Sequence, residues 1–426
     1  MASLGITFFV LLMIGVPVAF TLGWSAFVFA WFRGGVTLMA IPLQMFSGVD
    51  KFVFMAIPLF MLAGELMVHT GILERLLKFN SLLFGKFRGS LAQVTILASM
   101  IFAGISGSAV ADASALGAIL IPAMRRNYNN EFGAGIVAGA STIGPIIPPS
   151  IPMIIYAMSV ENVSIGGLFL SGVIPGVLIG LGMMVIAYVQ AVRNRFPPSD
   201  EEFSAKALLS AFINVLPALF MPVIILGGIL GGIFTATEAA AIAVLYALLI
   251  GVFVTKSLQL SDLWKALLNS GKISSMVFLV IATASVVGWM LTEAQLPQIV
   301  SAKLKAVSSS PLIFLVLLNV FLLIVGCVLE PASAMVMLMP IISPIATSFG
   351  IHSLHLGIIV VLNLTIGLIT PPVGTCLFVA CGIAKLPMEK VVRSMWPHLV
   401  WQICVLLLVT YIPKVALVIP FWFGIG

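Results

Sequence analysis

The sequence predicts an all-α polytopic membrane protein built from inverted repeats, with two re-entrant helical hairpins and two broken transmembrane helices. Three observations carry this. Of 426 residues, 61% are apolar and 8% charged, at a mean hydropathy of +1.24, whereas a soluble domain carries about 25% charge. Apolar runs of membrane-crossing length follow one another along the chain. A Thr-x-Gly-x-x-x-Pro-Pro block occurs once in each half, at Thr142 to Pro149 and at Thr365 to Pro372.

This composition excludes a soluble enzyme, a nucleic-acid binder and a disordered chain. The net charge of +6 reports topology, because Lys and Arg are scattered at the ends of apolar runs. Many of the 24 Pro and 38 Gly lie inside those runs, which points to interrupted helices. Cys327, Cys376, Cys381 and Cys404 sit in apolar stretches without a CxxC pair or a histidine at ligand spacing, and read as buried thiols. No Gly-x-x-x-x-Gly-Lys-Ser/Thr, HExxH or Gly-x-Ser-x-Gly pattern occurs, so the energy source is an ion gradient or another subunit.

A crossing helix needs about 20 apolar residues. In chain order the runs that reach or approach this length are Ile6 to Trp31, Phe52 to His69, Phe132 to Met158, Ile165 to Val189, Ala211 to Phe234, Thr235 to Val254, Ile273 to Leu291, Leu356 to Ile383 and Trp396 to Trp422. The first is too long for a signal-peptide core and lacks a charged head and cleavage site, so it reads as one retained helix. Leu91 to Ile105 pairs with Ala109 to Ile121, and Leu312 to Leu329 with Pro331 to Thr347, around polar or acidic tips. The first pair is too short to cross, and both read as re-entrant hairpins. Gly71 to Arg88 is amphipathic, setting Ile72, Leu73, Leu76 and Leu77 against Glu74, Arg75 and Lys78, as in a helix lying in the interface. Leu296 to Val307 takes the same place before the second hairpin. The one loop of soluble character is Arg193 to Lys206, with Asp200, Glu201 and Glu202.

With the N-terminus inside, 15 of the 20 Lys and Arg fall on the inner face and 5 on the outer. This predicts an N-terminus on the cytoplasmic side and a C-terminus on the opposite side.

The two Thr-x-Gly-x-x-x-Pro-Pro blocks agree at six of eight positions. Each follows a hairpin, and each hairpin holds an acid ten residues before a proline, Asp112 to Pro122 and Glu330 to Pro340. The order of crossing helix, interfacial helix, hairpin, broken helix and crossing helix repeats with opposite orientation, the mark of a secondary transporter. The units are 1–52 (first helix and connection), 53–192 (first repeat), 193–272 (central loop and helices) and 273–426 (second repeat).

Pro148-Pro149 and Pro371-Pro372 free carbonyls inside a crossing segment. Such carbonyls, with a hydroxyl and a hairpin tip, can form a sodium site of neutral oxygens. One Na⁺ site is expected at Gly104, Ser106, Ser108, Thr142 and Gly144, and a second at Gly326, Glu330, Thr365, Gly367 and Thr370. The substrate is expected between them, near Ser106, Gly107, Pro148, Pro149 and Pro371. Asp112 stands behind the ligands or is itself one, and Glu330 has the same two readings. Taken singly, each Pro-Pro block could be a structural kink; the pairing favours the functional reading. Glu65 and Glu238 read as partners of basic residues at helix ends, and Arg125 and Arg126 as interface anchors.

The stretches Pro58 to Met67, Ala103 to Gly117, Ser141 to Ala157, Phe234 to Val244 and Gly367 to Pro372 together resemble the large membrane subunit of tripartite ATP-independent periplasmic (TRAP) transporters, over essentially the whole chain. The resemblance implies a sodium-coupled, elevator-type importer of an organic acid in the bacterial inner membrane. It implies two partners, a small four-helix membrane subunit and a periplasmic substrate-binding protein. Without extra helices before Ile6, the small subunit is expected as a separate chain. The pattern looks closest to members handling sialic acid, with C4-dicarboxylates next. A stand-alone sodium/dicarboxylate symporter and an ion channel with re-entrant loops are the competing readings.

Overall fold

The computed structural model describes residues 2–33, 38–85, 87–160, 162–198, 204–307 and 310–425, which are helical, with no strand among them. Lys86 and the acidic loop residues Asp200, Glu201 and Glu202 lie outside the described residues.

The first apolar run is not one helix. It divides into α1 (Ala2–Met13) and α2 (Val18–Arg33), which pack on each other. Gly15 takes a left-handed conformation at φ +87°, Val16 N–H closes back on Leu11 O at 3.1 Å, and Pro17 has no N–H with which to continue the ladder. The connection that follows holds a short helix, α3 (Ala40–Val49).

Next come α4 (Ala56–His69), entered through a 3₁₀ turn at Phe52–Met55, and α5 (Ile72–Phe84). Helix α5 lies as the amphipathic pattern predicts: Ile72, Leu73 and Leu76 are buried while Glu74 and Lys78 are exposed. The first hairpin is α6 (Ser90–Ser106) and α7 (Ala109–Asn127). Its arms run past their apolar cores to 17 and 19 residues, about 26 and 28 Å at 1.5 Å per residue. They are therefore longer than expected, because Pro122, Arg125 and Arg126 continue the helix into its polar end.

The first broken helix is α8 (Asn130–Ser141) and α9 (Ile151–Ser159), followed by α10 (Ile165–Arg193). The middle of the chain supplies α11 (Ala205–Leu230) and α12 (Ala236–Leu249), the latter ending in a π turn at Ile250–Val254. Glu238 makes no ion pair with a basic residue among the described residues. It forms a capping box with Thr235, whose N–H it accepts at 2.8 Å, because the start of α12 needs its orphan donors satisfied.

The second repeat begins with α13 (Leu260–Glu293), 34 residues long and starting well before the apolar run. Then come α14 (Leu296–Val307), the hairpin α15 (Pro311–Gly326) and α16 (Pro331–Ser348), and the broken helix α17 (Ser353–Gly367) and α18 (Thr375–Ala384). The last run is also divided, into α19 (Met388–Tyr411) and α20 (Lys414–Trp422), at Pro413. Cys404, expected buried, is exposed on α19; Cys327, Cys376 and Cys381 are buried.

Two packing sets result. Helices α2, α3 and α4 lie on α13, and α4 also packs on α12. The hairpins and broken helices interlock across the repeats, α7 against α18 and α9 against α16, while α19 packs on α8 and α10 on α17. Helix α5 rests on α6 and α11, and α14 on α16. Buried amides tie these elements: Gln93 Nε2 of α6 donates to Met184 O of α10 at 2.8 Å. Asn363 Nδ2 of α17 donates to Asn319 Oδ1 of α15 at 2.8 Å, and Asn319 Nδ2 to Thr410 Oγ1 of α19 at 3.2 Å.

Where α10 meets α19, a Cβ on Gly182 would enter the Trp401 indole ring, whose Nε1 donates to Leu178 O at 3.1 Å. Gly182→Ala is expected to destabilise by about 1–3 kcal/mol. Gly271→Ala, in open space on α13, is expected to stabilise by about 0.5–1 kcal/mol. Melting temperatures of the purified variants check both signs.

Candidate functional site: hairpin tips against helix breaks

Helix α6 ends at Ser106, and Gly107 turns the chain at φ +60°. Ser108 then caps α7, its Oγ accepting from Ala111 N at 3.5 Å. Opposite lies the first break. After Ser141 the chain continues in tight turns, with Ile143 N donating to Ala140 O, Gly144 N to Ser141 O and Ile146 N to Ile143 O, at 3.0 to 3.1 Å. The Pro148-Pro149 bond is cis, and Ser150 starts α9 by accepting from Met153 N at 3.3 Å while donating to Pro145 O.

Tip and break touch through backbone. A Cβ on Gly107 would stand 2.7 Å from Pro149 O, and one on Gly104 would stand 3.5 Å from Pro148 O and run into Pro222 of α11. Behind the tip, Gly64 of α4 approaches Ser106 so closely that a Cβ would sit 3.3 Å from its Cα. Asp112 is fully buried beneath this junction. Its Oδ1 accepts from Ser106 Oγ, its Oδ2 has no partner among the described residues, and a Cβ on Gly144 would collide with that free oxygen. Helix α18 packs on α7 and α8, so the second repeat contributes to the surroundings of the first site. The starts of α7 and α9 converge here, since a Cβ on Gly107 would stand 3.3 Å from Ile151 N. Two helix N-termini facing one point favour negative charge.

The second pair follows the same plan. Gly326, at the end of α15, meets α17 so tightly that a Cβ on Gly367 would fall on Gly326 backbone atoms. Leu368, Ile369 and Thr370 donate to Thr365 O, Ile366 O and Gly367 O at 3.0 to 3.1 Å, the Pro371-Pro372 bond is cis, and Gly374 at φ +57° opens α18. Glu330 caps α16, with Oε2 accepting from Ala332 N at 3.0 Å and Ser333 N at 3.4 Å. Pro371, Pro372 and Glu330 are exposed, whereas Pro148 and Pro149 are buried. The first junction is closed and the second is open.

The structure thus gathers Gly104, Ser106, Gly107, Asp112, Gly144, Pro148 and Pro149 in one place, and Gly326 with Gly367 in another. Ser108 and Glu330 serve as helix caps. Three threonine hydroxyls are bonded to carbonyls of their own helices: Thr142 to Gly139 O at 2.7 Å, Thr365 to Val361 O at 2.6 Å and Thr370 to Ile366 O at 2.8 Å. Thr142 Oγ1 also lies 3.1 Å from Gln402 Oε1, and Gln402 Nε2 donates to Gly139 O at 3.0 Å. Gln402 was absent from the expected set; a lone fully buried amide inside an apolar run was the available signal. Two of the four histidines bond backbone groups: His355 bonds Val409 O across the contact of α17 with α19, and His352 caps α17 by accepting from Leu354 N.

Comparison with known proteins agrees with this architecture. The family model described as "Tripartite ATP-independent periplasmic transporter, DctM component" matches residues 6–415. The C4-dicarboxylate TRAP transporter large permease protein DctM of Pseudomonas aeruginosa is 41% identical over 391 residues, covering 92% of this chain and 91% of that one. The sialic acid TRAP transporter large permease protein SiaM of Vibrio cholerae is 38% identical, with 96% of each chain covered. Among solved structures, the Alcanivorax borkumensis YdaH transporter, described as having an unusual topology, is similar at a TM-score of 0.57 over 91% of this chain and 88% of that one. At 14% identity that likeness is one of fold.

Ser106→Ala removes the hydroxyl that satisfies Asp112. With the carboxyl left without that donor in a fully buried site, the expected loss is about 1–3 kcal/mol. Thermal unfolding of the purified variant in sodium-free buffer measures it, and an unchanged melting temperature would contradict the contact.

Proposed function

The chain belongs to the DctM-component family of tripartite ATP-independent periplasmic transporters, and from that premise we propose that it is the subunit through which a sodium-coupled importer carries an organic acid anion. One observation carries the reading: each hairpin tip meets the break of its own repeat backbone to backbone, through Gly107 on Pro149 and Gly326 on Gly367. Two such junctions supply two clusters of backbone and hydroxyl oxygen, which suit a small cation, beside helix N-termini, which suit an anion.

Sodium is the driving cargo. The first ion lies among Gly104, Ser106, Ser108, Thr142 and Gly144, with Asp112 behind Ser106. The second lies among Gly326, Glu330, Thr365, Gly367 and Thr370. Each threonine spends its proton on a helix carbonyl, which leaves the oxygen lone pairs for a cation. One oxygen of Glu330 stays committed to capping α16. The organic acid lies between the two, toward Ser106, Gly107, Pro148, Pro149 and Pro371, with its anionic group at the meeting of α7 and α9.

The energetics close. Each inward Na⁺ gains about 2.3 kcal/mol at 100 mV and about 1.4 kcal/mol from a tenfold gradient. Two give roughly 7 kcal/mol, against about 2.3 kcal/mol lost by an entering monoanion, which leaves enough to concentrate it roughly a thousandfold or more.

The interlocked hairpins and broken helices move as one unit against the set around α4, α12 and α13, with α5 and α14 as braces. The contacts of α7 with α18 and of α9 with α16 support a joint body. A small four-helix membrane subunit and a periplasmic binding protein complete the system in the bacterial inner membrane, with the N-terminus cytoplasmic. C4-dicarboxylates and sialic acid are the first acids to test, since relatives of comparable identity carry those names.

Uptake into liposomes containing this chain, its small subunit and its binding protein should require inward sodium and saturate with one acid of a panel. Thr142→Val and Thr365→Val keep shape and delete an oxygen, so each should raise the sodium concentration for half-maximal uptake several-fold. Wild-type sodium dependence in both variants would overturn the two-site reading.

A further inference from the structure

At the end of the first hairpin, away from both tip junctions, a cavity of about 390 Å³ opens between the end of α7, the start of α8 and the end of α18. Its lining includes Pro122, Arg125, Arg126, Asn130, Ile383 and Ala384. Two exposed arginines, Arg125 and Arg126, thus line one cavity, and neither makes an ion pair among the described residues. Asn130 Nδ2 donates to Ala384 O at 2.8 Å, which joins the start of α8 to the end of α18. The other atom of that amide, Oδ1, is buried without a partner among the described residues.

The charge balance favours an anion. The ends of α7 and α18 each present roughly half a negative charge, and the start of α8 roughly half a positive one, so the helix termini sum to roughly minus one half. Two full positive charges on Arg125 and Arg126 outweigh this. Guanidinium groups recognise oxyanions through paired N–H bonds, and 390 Å³ falls within the range of small-ligand pockets, about 300–1,000 Å³.

We infer that this cavity is a second anion site, separate from the transport site, that binds an oxyanion: the phosphate of a glycerol-type phospholipid headgroup, or the carboxylate of a free organic acid. Basic pockets between membrane helices at headgroup depth suit the first source. The site shares no residue with the tips, so it stands or falls apart from sodium coupling.

The test melts the purified protein in neutral detergent with phosphatidylglycerol, phosphatidylcholine, or malate at matched sodium. Wild type should be stabilised by phosphatidylglycerol over phosphatidylcholine if the source is lipid, or by malate if it is a free acid. Arg125→Gln/Arg126→Gln should lose most of that shift, and Arg193→Gln/Arg195→Gln should keep it. Pro122→Glu leaves both arginines in place and adds a carboxylate to the lining, so it should weaken the same shift even if the double variant folds poorly. The inference is overturned if neither anion shifts the wild type, or if every shift seen, with phosphatidylglycerol or with malate, survives both cavity variants; a malate shift alone that survives them belongs to the transport site.

Discussion

Hydrocarbon offers no partners to a peptide group, so a helix broken inside a membrane must find its hydrogen bonds within the protein. The rest of this structure follows from that constraint. Pro148-Pro149 and Pro371-Pro372 interrupt two helices, and each exposed stretch of backbone is met by a hairpin tip from the same repeat. Side chains would hold tip and break apart, which is why Gly104, Gly107, Gly326 and Gly367 stand at the contacts. Serine and threonine then complete the junctions, Ser150 capping α9 and Ser106 satisfying one oxygen of Asp112. The same closeness brings carbonyl oxygens of the first break, Pro148 O and Pro149 O, against the glycines of the first tip.

The repeats are alike in plan and unlike in detail. The first break is buried except for half-buried Ile147 and carries an oxygen of Asp112 without a partner among the described residues, while the second has both prolines exposed and its acid engaged as a helix cap. Cross-repeat packing binds the two into one body, with α18 of the second broken helix lying on α7 and α8 of the first repeat. The Asn319, Asn363 and Thr410 chain fastens the second hairpin and broken helix to α19, much as Gln93 fastens the first hairpin to α10. In an elevator such fastening would let two ion sites share one movement.

Much of this was legible in the sequence because proline, glycine and polar residues are conspicuous against an apolar background. The two breaks, both tips, the amphipathic α5 and the bounds of α14 could be read directly. Hydropathy reports how much apolar chain there is, though not where it bends, so Ile6 to Trp31 and Trp396 to Trp422 read as single helices. Pro17 and Pro413 end helices there, yet Pro175, Pro217 and Pro340 stay inside theirs. Whether a proline breaks a helix depends on neighbours such as Gly15 and on packing, which composition does not carry. Gln402 escaped notice for a related reason: its partner Thr142 lies 260 residues away.

The central claim is that the tips close on the breaks around sodium. Hydrogen exchange followed by mass spectrometry, on the purified protein in sodium and in potassium at equal ionic strength, tests it most directly. The account predicts slower exchange in sodium across both tips, 103–112 and 326–333, and both breaks, 142–150 and 365–374, with the scaffold helices α4, α12 and α13 unchanged. Equal exchange in the two salts at all four segments would contradict it.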